Sequence, residues 1–232
     1  MKKKSKQVII ILGPPGSGKG TQAGLLAESL DLFHLETSRI IEQKIKKSGK
    51  KDYILTEGKK YFFSKEKELW ETGKLCDPPF VVYLIREKIK QLAKDDEGII
   101  TSGSPRTLYE GKNLTPLLKK IYGQANIKVI LLELSPEQTV WRNTRRRICA
   151  LMRHPILYSE ETMKLKKCPL DRSDLIRRKG LDDEETIKVR LQEYKEKTFP
   201  LIQYFKEQGL RIKKVDGERT VEDIFSDILK II

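Results

Sequence analysis

Five short runs along the chain, at 7–12, 33–36, 98–101, 128–134 and 210–215, are mostly near-continuously apolar rather than alternating. Strands buried on both faces of a parallel sheet carry that pattern. Between them, 19–30, 79–93, 114–122 and 136–148 repeat apolar residues every three or four positions, which predicts helices. A longer helix is predicted over 184–207, with Ile187, Leu191, Tyr194 and Thr198 on one stripe behind an acidic first turn at Asp182 and Asp183. Strands alternating with helices predict an α/β fold built from βαβ crossovers. Two stretches break the alternation. The first, 37–75, is lysine-rich and reads as helical; the second, 149–181, is irregular and holds two of the three cysteines. Both read as insertions over the mouth of the sheet, where open α/β sheets bind ligands at the carboxyl ends of their strands.

Length adds one constraint: 232 residues suffice for one domain with insertions or two small domains. Apolar runs such as 8–12 and 81–85 are far shorter than the roughly eighteen residues of a membrane span. The basic start, Met1 to Lys6, is followed by too short an apolar stretch for a signal peptide, so a cytoplasmic protein is expected. Cys76, Cys149 and Cys168 are too few for a disulfide framework, in keeping with a reducing compartment. Lysine and arginine number 47 against 33 acidic residues, a formal charge of +14, which concentrates anions such as nucleotides, nucleic acid or acidic lipid. No aromatic-rich single-strand platform or groove-reading motif accompanies the charge, so nucleic acid is not the expected partner.

The strongest chemical signal follows the first strand. Gly13-Pro-Pro-Gly16-Ser17-Gly18-Lys19 satisfies G-x-x-x-x-G-K between a strand and a helix. The glycines let backbone N–H groups turn inward around a phosphate, the helix N-terminus adds its positive end, and Lys19 supplies a point charge. Gly20 stands where a hydroxyl is usual, so Thr21 or the ion's own waters would serve Mg²⁺.

Continued through Gly20, Thr21 and Gln22, this loop resembles that of the adenylate kinase family of nucleoside monophosphate kinases. The resemblance runs on through His34-Leu-Glu-Thr-Ser38, Gly73-Lys-Leu75, Gly103-Ser-Pro-Arg106-Thr107, Trp141 to Arg147, Asp182-Asp-Glu-Glu-Thr186 with Arg190, and Val215-Asp-Gly217. It implies a P-loop three-layer α/β/α fold with a central five-stranded parallel sheet, a helical NMP-binding insertion at 37–75 and a lid at 149–181. The core would comprise 1–36, 76–148 and 182–232. It also implies ATP and a nucleoside monophosphate as substrates, AMP first, with Mg²⁺ and a monomeric chain. Gly16, Ser17, Gly18, Lys19, Gly20 and Thr21 would hold the ATP phosphates, Arg142 would stack on the ATP base, and Arg146 would grip phosphate. Arg106 would bind the acceptor phosphate, and Arg178 and Arg190 would bridge the two nucleotides, with Lys179 as an alternative to Arg178. Thr37, Leu75 and Cys76 would lie beside the acceptor base. Phosphoryl transfer needs aligned anions and neutralised charge rather than a general base, and arginine's permanently charged fork suits that task.

The chain departs from the family on the acceptor side. Ser38 and Arg39 replace a glycine and an aspartate, Glu42 replaces an arginine that binds the acceptor phosphate, Ser102 replaces an aspartate that organises Mg²⁺ waters, and Glu110 replaces a glutamine that reads the base. Either Arg39 takes over from the lost arginine and base preference changes, or the chain binds nucleotides and transfers phosphate poorly. Some family members carry structural zinc in the lid. Cys149, His154, Cys168 and Asp171 form the candidate ligand set here, with Met152 where a second cysteine usually stands.

Overall fold

The computed structural model describes residues 6–153, 155–178 and 182–232. Strands β1 (Val8–Leu12) and β2 (Phe33–Leu35) flank helix α1 (Lys19–Leu30). Next come α2 (Thr37–Lys47), β3 (Tyr53–Thr56), β4 (Lys59–Phe62), α3 (Phe63–Glu71) and α4 (Pro78–Lys94). The middle of the chain forms β5 (Ile99–Thr101), α5 (Leu108–Tyr122), β6 (Ile127–Glu133) and α6 (Pro136–Arg145). Small elements follow: β7 (Arg147–Cys149), β8 (Pro155–Ile156), α7 (Glu160–Met163) and β9 (Leu175–Ile176). The chain ends with α8 (Glu184–Glu193), α9 (Leu201–Glu207), β10 (Ile212–Asp216) and α10 (Val221–Ile231).

Five strands form one parallel sheet in the order β10-β6-β1-β5-β2, the α/β architecture expected. Its pleat explains the continuous apolar runs. In β1, Val8, Ile10 and Leu12 join a core with α4, α5 and α9, while Ile9 and Ile11 join a second core with α1 and α10. All five side chains are buried, each contributing about 1.5–3 kcal/mol. β1 lies between β6 and β5, so the loop after Leu12 opens at the centre of the carboxyl edge. No helix of the described residues is long and apolar enough to cross a membrane.

The expected helix over 37–75 is instead two helices split by an antiparallel hairpin of β3 and β4. Glu57 and Gly58 both take positive φ, 52° and 71°, which fits the two-residue turn, and Tyr53 packs on Phe62 with ring centroids 5.6 Å apart. The irregular stretch over 149–181 contains a three-stranded antiparallel sheet, β8-β7-β9. That sheet also cuts short the helix expected over 136–148, because Arg147–Cys149 pairs as β7. The helix expected from 114 begins at Leu108, where the Thr107 hydroxyl accepts the Glu110 N–H. The single helix expected over 184–207 is broken by a π-turn at Tyr194–Thr198, with Phe199 N–H bonded to Tyr194 O at 2.8 Å, and by Pro200.

Candidate active site

Between β1 and α1 the backbone takes positive φ at Gly16 (81°) and Gly18 (89°), a conformation L side chains rarely adopt. A Cβ on Gly16 would overlap the Asn143 amide from α6, whereas one on Gly18 would meet nothing within 4 Å. Gly18 is therefore glycine for its backbone and Gly16 for its close approach as well. The Ser17 hydroxyl is fully buried and has no hydrogen-bond partner among the described residues. Lys19 folds over the same loop, its Nζ donating to Gly13 O at 2.8 Å and Pro14 O at 2.7 Å. Gly20 is exposed and Thr21 half-buried on the first turn of α1.

Lys19, Arg106 and Arg190 line one cavity together with Gly13, Gly103 and Tyr194. Burial holds the Lys19 ammonium well below its ordinary range, and the Arg106 and Arg190 charges lower it further. Arg190 is drawn down to about 9 by burial, then by Arg178 and Arg106. Arg106 is lowered chiefly by burial. Three cations forced out of water beside each other raise the free energy of the unliganded site, and a polyanion entering it relieves that cost. Arg106 is positioned from the β5–α5 loop, where Thr198 of the π-turn donates to its carbonyl at 2.8 Å.

Asp182, 2% exposed at its side chain, gathers the remaining guanidinia. It accepts from Arg146 at 2.7 Å and from Arg178 through both oxygens at 2.7 and 3.0 Å, with Arg190 at 3.9 Å. Sequence reasoning placed Asp182 in a helix's acidic first turn and missed this hub. Its only local signal is a buried acid preceding the true N-cap, Asp183. Arg142 stands apart, its fork donating to Gly217 O at 2.7 Å and Glu218 O at 3.2 Å beyond β10. Lys179 lies outside the described residues.

A second cavity adjoins the first and shares Leu75, Gly103 and Arg106 with it. Thr37, Cys76 and Glu110 line it with Trp70 and Val81. The Thr37 hydroxyl is buried without a partner, and the Cys76 thiol, pushed up by burial, donates to Glu66 O at 3.5 Å. Glu110 accepts from the Ser104 hydroxyl at 2.5 Å, Arg106 N–H at 3.0 Å and the Thr107 hydroxyl at 3.3 Å. Burial nevertheless raises its carboxyl. Arg39 does not line this cavity; its guanidinium is half-exposed, 3.9 Å from Glu36. Glu42 pairs with Lys46 and Arg153, each at 2.8 Å. Ser102 hydrogen-bonds the His34 ring at 2.6 Å, and burial lowers the His34 pKa.

At the base of the small sheet, one ligand atom each from Cys149, Cys168 and Asp171 lies within 4.8 Å of the others, and Cys149 Sγ donates to Asp171 Oδ2 at 3.0 Å. His154, the fourth candidate, lies outside the described residues.

Residues 11–210 match the family profile described as adenylate kinase. An adenylate kinase of Clostridium botulinum (strain Loch Maree / Type A3) is 32% identical over 227 residues, covering 97% of each chain. One from Clostridium kluyveri (strain ATCC 8527 / DSM 555 / NBRC 12016 / NCIMB 10680 / K1) is 32% identical over 220 residues, 94% of each. The adenylate kinase of Chlamydia trachomatis serovar D (strain ATCC VR-885 / DSM 19411 / UW-3/Cx) is 31% identical over 238 residues, 97% of this chain and 90% of its own. With the family profile matched over residues 11–210 and relatives aligned nearly end to end, the chain belongs to the adenylate kinase family.

Proposed function

We propose that the protein transfers the terminal phosphoryl group of ATP to a nucleoside monophosphate, AMP first, giving two ADP. The observation that carries this reading is the trio Lys19, Arg106 and Arg190, half-buried and lining one cavity at the carboxyl edge of the sheet. The loop Gly16–Thr21 cradles the donor phosphates, with the Ser17 hydroxyl and inward-turned N–H groups as donors. Arg142 and Arg146 hold the donor nucleotide, Arg106 takes the acceptor phosphate, and Arg178 and Arg190 span the two. The second cavity receives the acceptor base against Thr37, Leu75, Cys76 and Glu110, while Arg39, outside its lining, takes no part in this reading. Aligning two anions and neutralising the charge on the transferring oxygens supplies the rate, so no side chain need act as a base.

The cradle fits Mg·ATP: Gly16 and Gly18 take positive φ, Lys19 lines the cavity beside them, and Thr21 stands on the first turn of α1. Bound with ATP, Mg²⁺ neutralises the β- and γ-phosphate oxygens. Residues 37–75 act as the acceptor insertion, 149–181 as the lid, and 1–36, 76–148 and 182–232 as the core. The sulfur-and-carboxylate set of Cys149, Cys168 and Asp171 fits a structural zinc ion, with His154 completing four ligands. The chain works as a soluble cytoplasmic monomer.

A coupled assay offering AMP, CMP, UMP, GMP and dTMP with Mg·ATP tests the reading. ADP release that depends on the acceptor and is fastest with AMP supports it. Release without acceptor makes the protein an ATPase. Tight nucleotide binding with no release supports the second reading, a nucleotide-binding protein weakened in transfer. Glu42 favours that reading, standing where the resemblance puts a phosphate-binding arginine.

A further inference from the structure

Glu42 lies on α2 and Arg153 in the turn after β7, 111 residues apart in sequence, yet they meet as an ion pair at 2.8 Å. Among the described residues it is the one ion pair that joins 37–75 to 149–178. The second Glu42 oxygen is held by Lys46, one turn along α2, also at 2.8 Å. The Glu42 side chain is 16% exposed and that of Arg153 33%, so water screens the pair less than it does the open surface pairs of this chain.

The backbone supplies a second, independent observation. Arg153 has φ of 61°, a left-handed conformation uncommon for a non-glycine residue. It closes a turn in which its N–H bonds Cys149 O at 3.1 Å. The same Cys149 side chain belongs to the cluster with Cys168 and Asp171. The anchored base of the small sheet thus holds a strained residue whose side chain crosses to the other insertion. Strain of that kind persists where surrounding structure over-determines it.

We propose that Glu42 and Arg153 form a clasp between the two insertions, acting as positioning residues that couple closure over the donor to closure over the acceptor. The proposal rests on the functional reading above for which nucleotide lies under which insertion. The contact itself does not. An ion pair formed only when both insertions have swung inward favours the doubly closed state, so each nucleotide tightens the other's binding. Glu42 would then have exchanged contact with a phosphate for contact with the lid.

Hydrogen exchange on the full, nucleotide-free chain tests the contact without relying on activity. Arg153→Gln should speed exchange in residues 37–47 and Glu42→Gln in residues 147–156, each change at least three-fold and across the gap. Effects confined to the insertion that carries the substitution overturn the clasp. Calorimetry tests the coupling. AMP should bind at least three-fold tighter when the non-hydrolysable β,γ-imido analogue of ATP is present with Mg²⁺. Either single variant should bring that ratio near one, and the double variant should go no further. A ratio unchanged in the variants, or losses that multiply in the double variant, overturns the proposal. If wild-type AMP binding is undetectable, the assignment of AMP fails, and the exchange measurement still decides the clasp.

Discussion

Asp182 is the residue on which the arginine cluster turns. Its carboxylate is nearly sealed from water and takes three hydrogen bonds from Arg146 and Arg178, with Arg190 just beyond. Removing one partner of a buried charge network leaves the others uncompensated, a cost of about 3–5 kcal/mol. Asp182→Asn keeps the shape and removes the charge. It should lower Tm in a melting scan and cut kcat/KM for ATP by roughly 10–100-fold, a loss of about 1.4–2.7 kcal/mol of transition-state stabilisation. A variant with wild-type kinetics would reduce Asp182 to a structural anchor with no part in transfer. Lys19 gives a pH prediction at the same scale. Its free-state pKa is lowered by burial and by two arginines, and phosphate oxygens bound against it would raise it again. ATP binding must then take up protons in the interval between the two values, and affinity must fall as pH rises through it. Arg190, lowered to about 9 before nucleotide binds, adds to the same trend on the alkaline side. Calorimetric titrations in buffers of different ionisation enthalpy should show proton uptake near pH 9, where Arg190 titrates.

Elements deliver these residues, and the most constrained junction is where β6, β10 and the phosphate loop meet. Gly217 donates its N–H to Glu133 O at 2.8 Å, and a Cβ there would lie 2.6 Å from that oxygen and 3.4 Å from Ser17 O. Backbone oxygens cannot swing aside as a side chain would. Gly217→Ala should therefore cost about 1–3 kcal/mol, a Tm drop of roughly 2–12 °C for a chain of this size, and should weaken ATP binding by displacing the carbonyl that orients Arg142. Such junctions also show what a single sequence discloses. The strands and the loop were legible because burial on both faces imposes continuous apolar runs, and because phosphate contact imposes glycines and lysine in register. The hairpin at 53–62 was obscured by its lysines, which sit on exposed faces, and its turn signal is only Glu57-Gly58. The π-turn at Tyr194–Thr198 was unreadable because its apolar stripe continues the helical period. Asp182 and Glu42 were legible as acids but not as partners across the fold, since Arg146 and Arg153 reach them from distant segments. Arg39 was singled out from its place in the motif, yet that place does not turn its side chain into the cavity.

At the scale of the whole molecule, the small sheet β8-β7-β9 is the part least able to hold itself together. Its buried apolar cluster is Cys149, Ile156 and Cys168, with Leu175 packed alongside, while Leu151, Leu157 and Leu170 are exposed. Strands of two or three residues with so small a core are marginal without a further tie. The Asp171 carboxylate, held far below its usual range by hydrogen bonds from Cys149 and Ser173, is already charged for ligation, whereas burial raises the Cys168 thiol. A metal would draw protons off both sulfurs and make binding free energy part of the local folding free energy. Protein prepared with zinc should hold about one equivalent by atomic absorption. Stripping it with a chelator, or substituting Cys168→Ser, should expose residues 147–178 to limited proteolysis while the parallel sheet stays protected. The first cuts should fall near the exposed Leu151 and Leu170. If stripped and loaded protein are cut at the same rate, or no metal is retained, the thiols are simply the packed centre of the small sheet. Its stability would then depend on contacts with its neighbours, the Arg153–Glu42 pair among them.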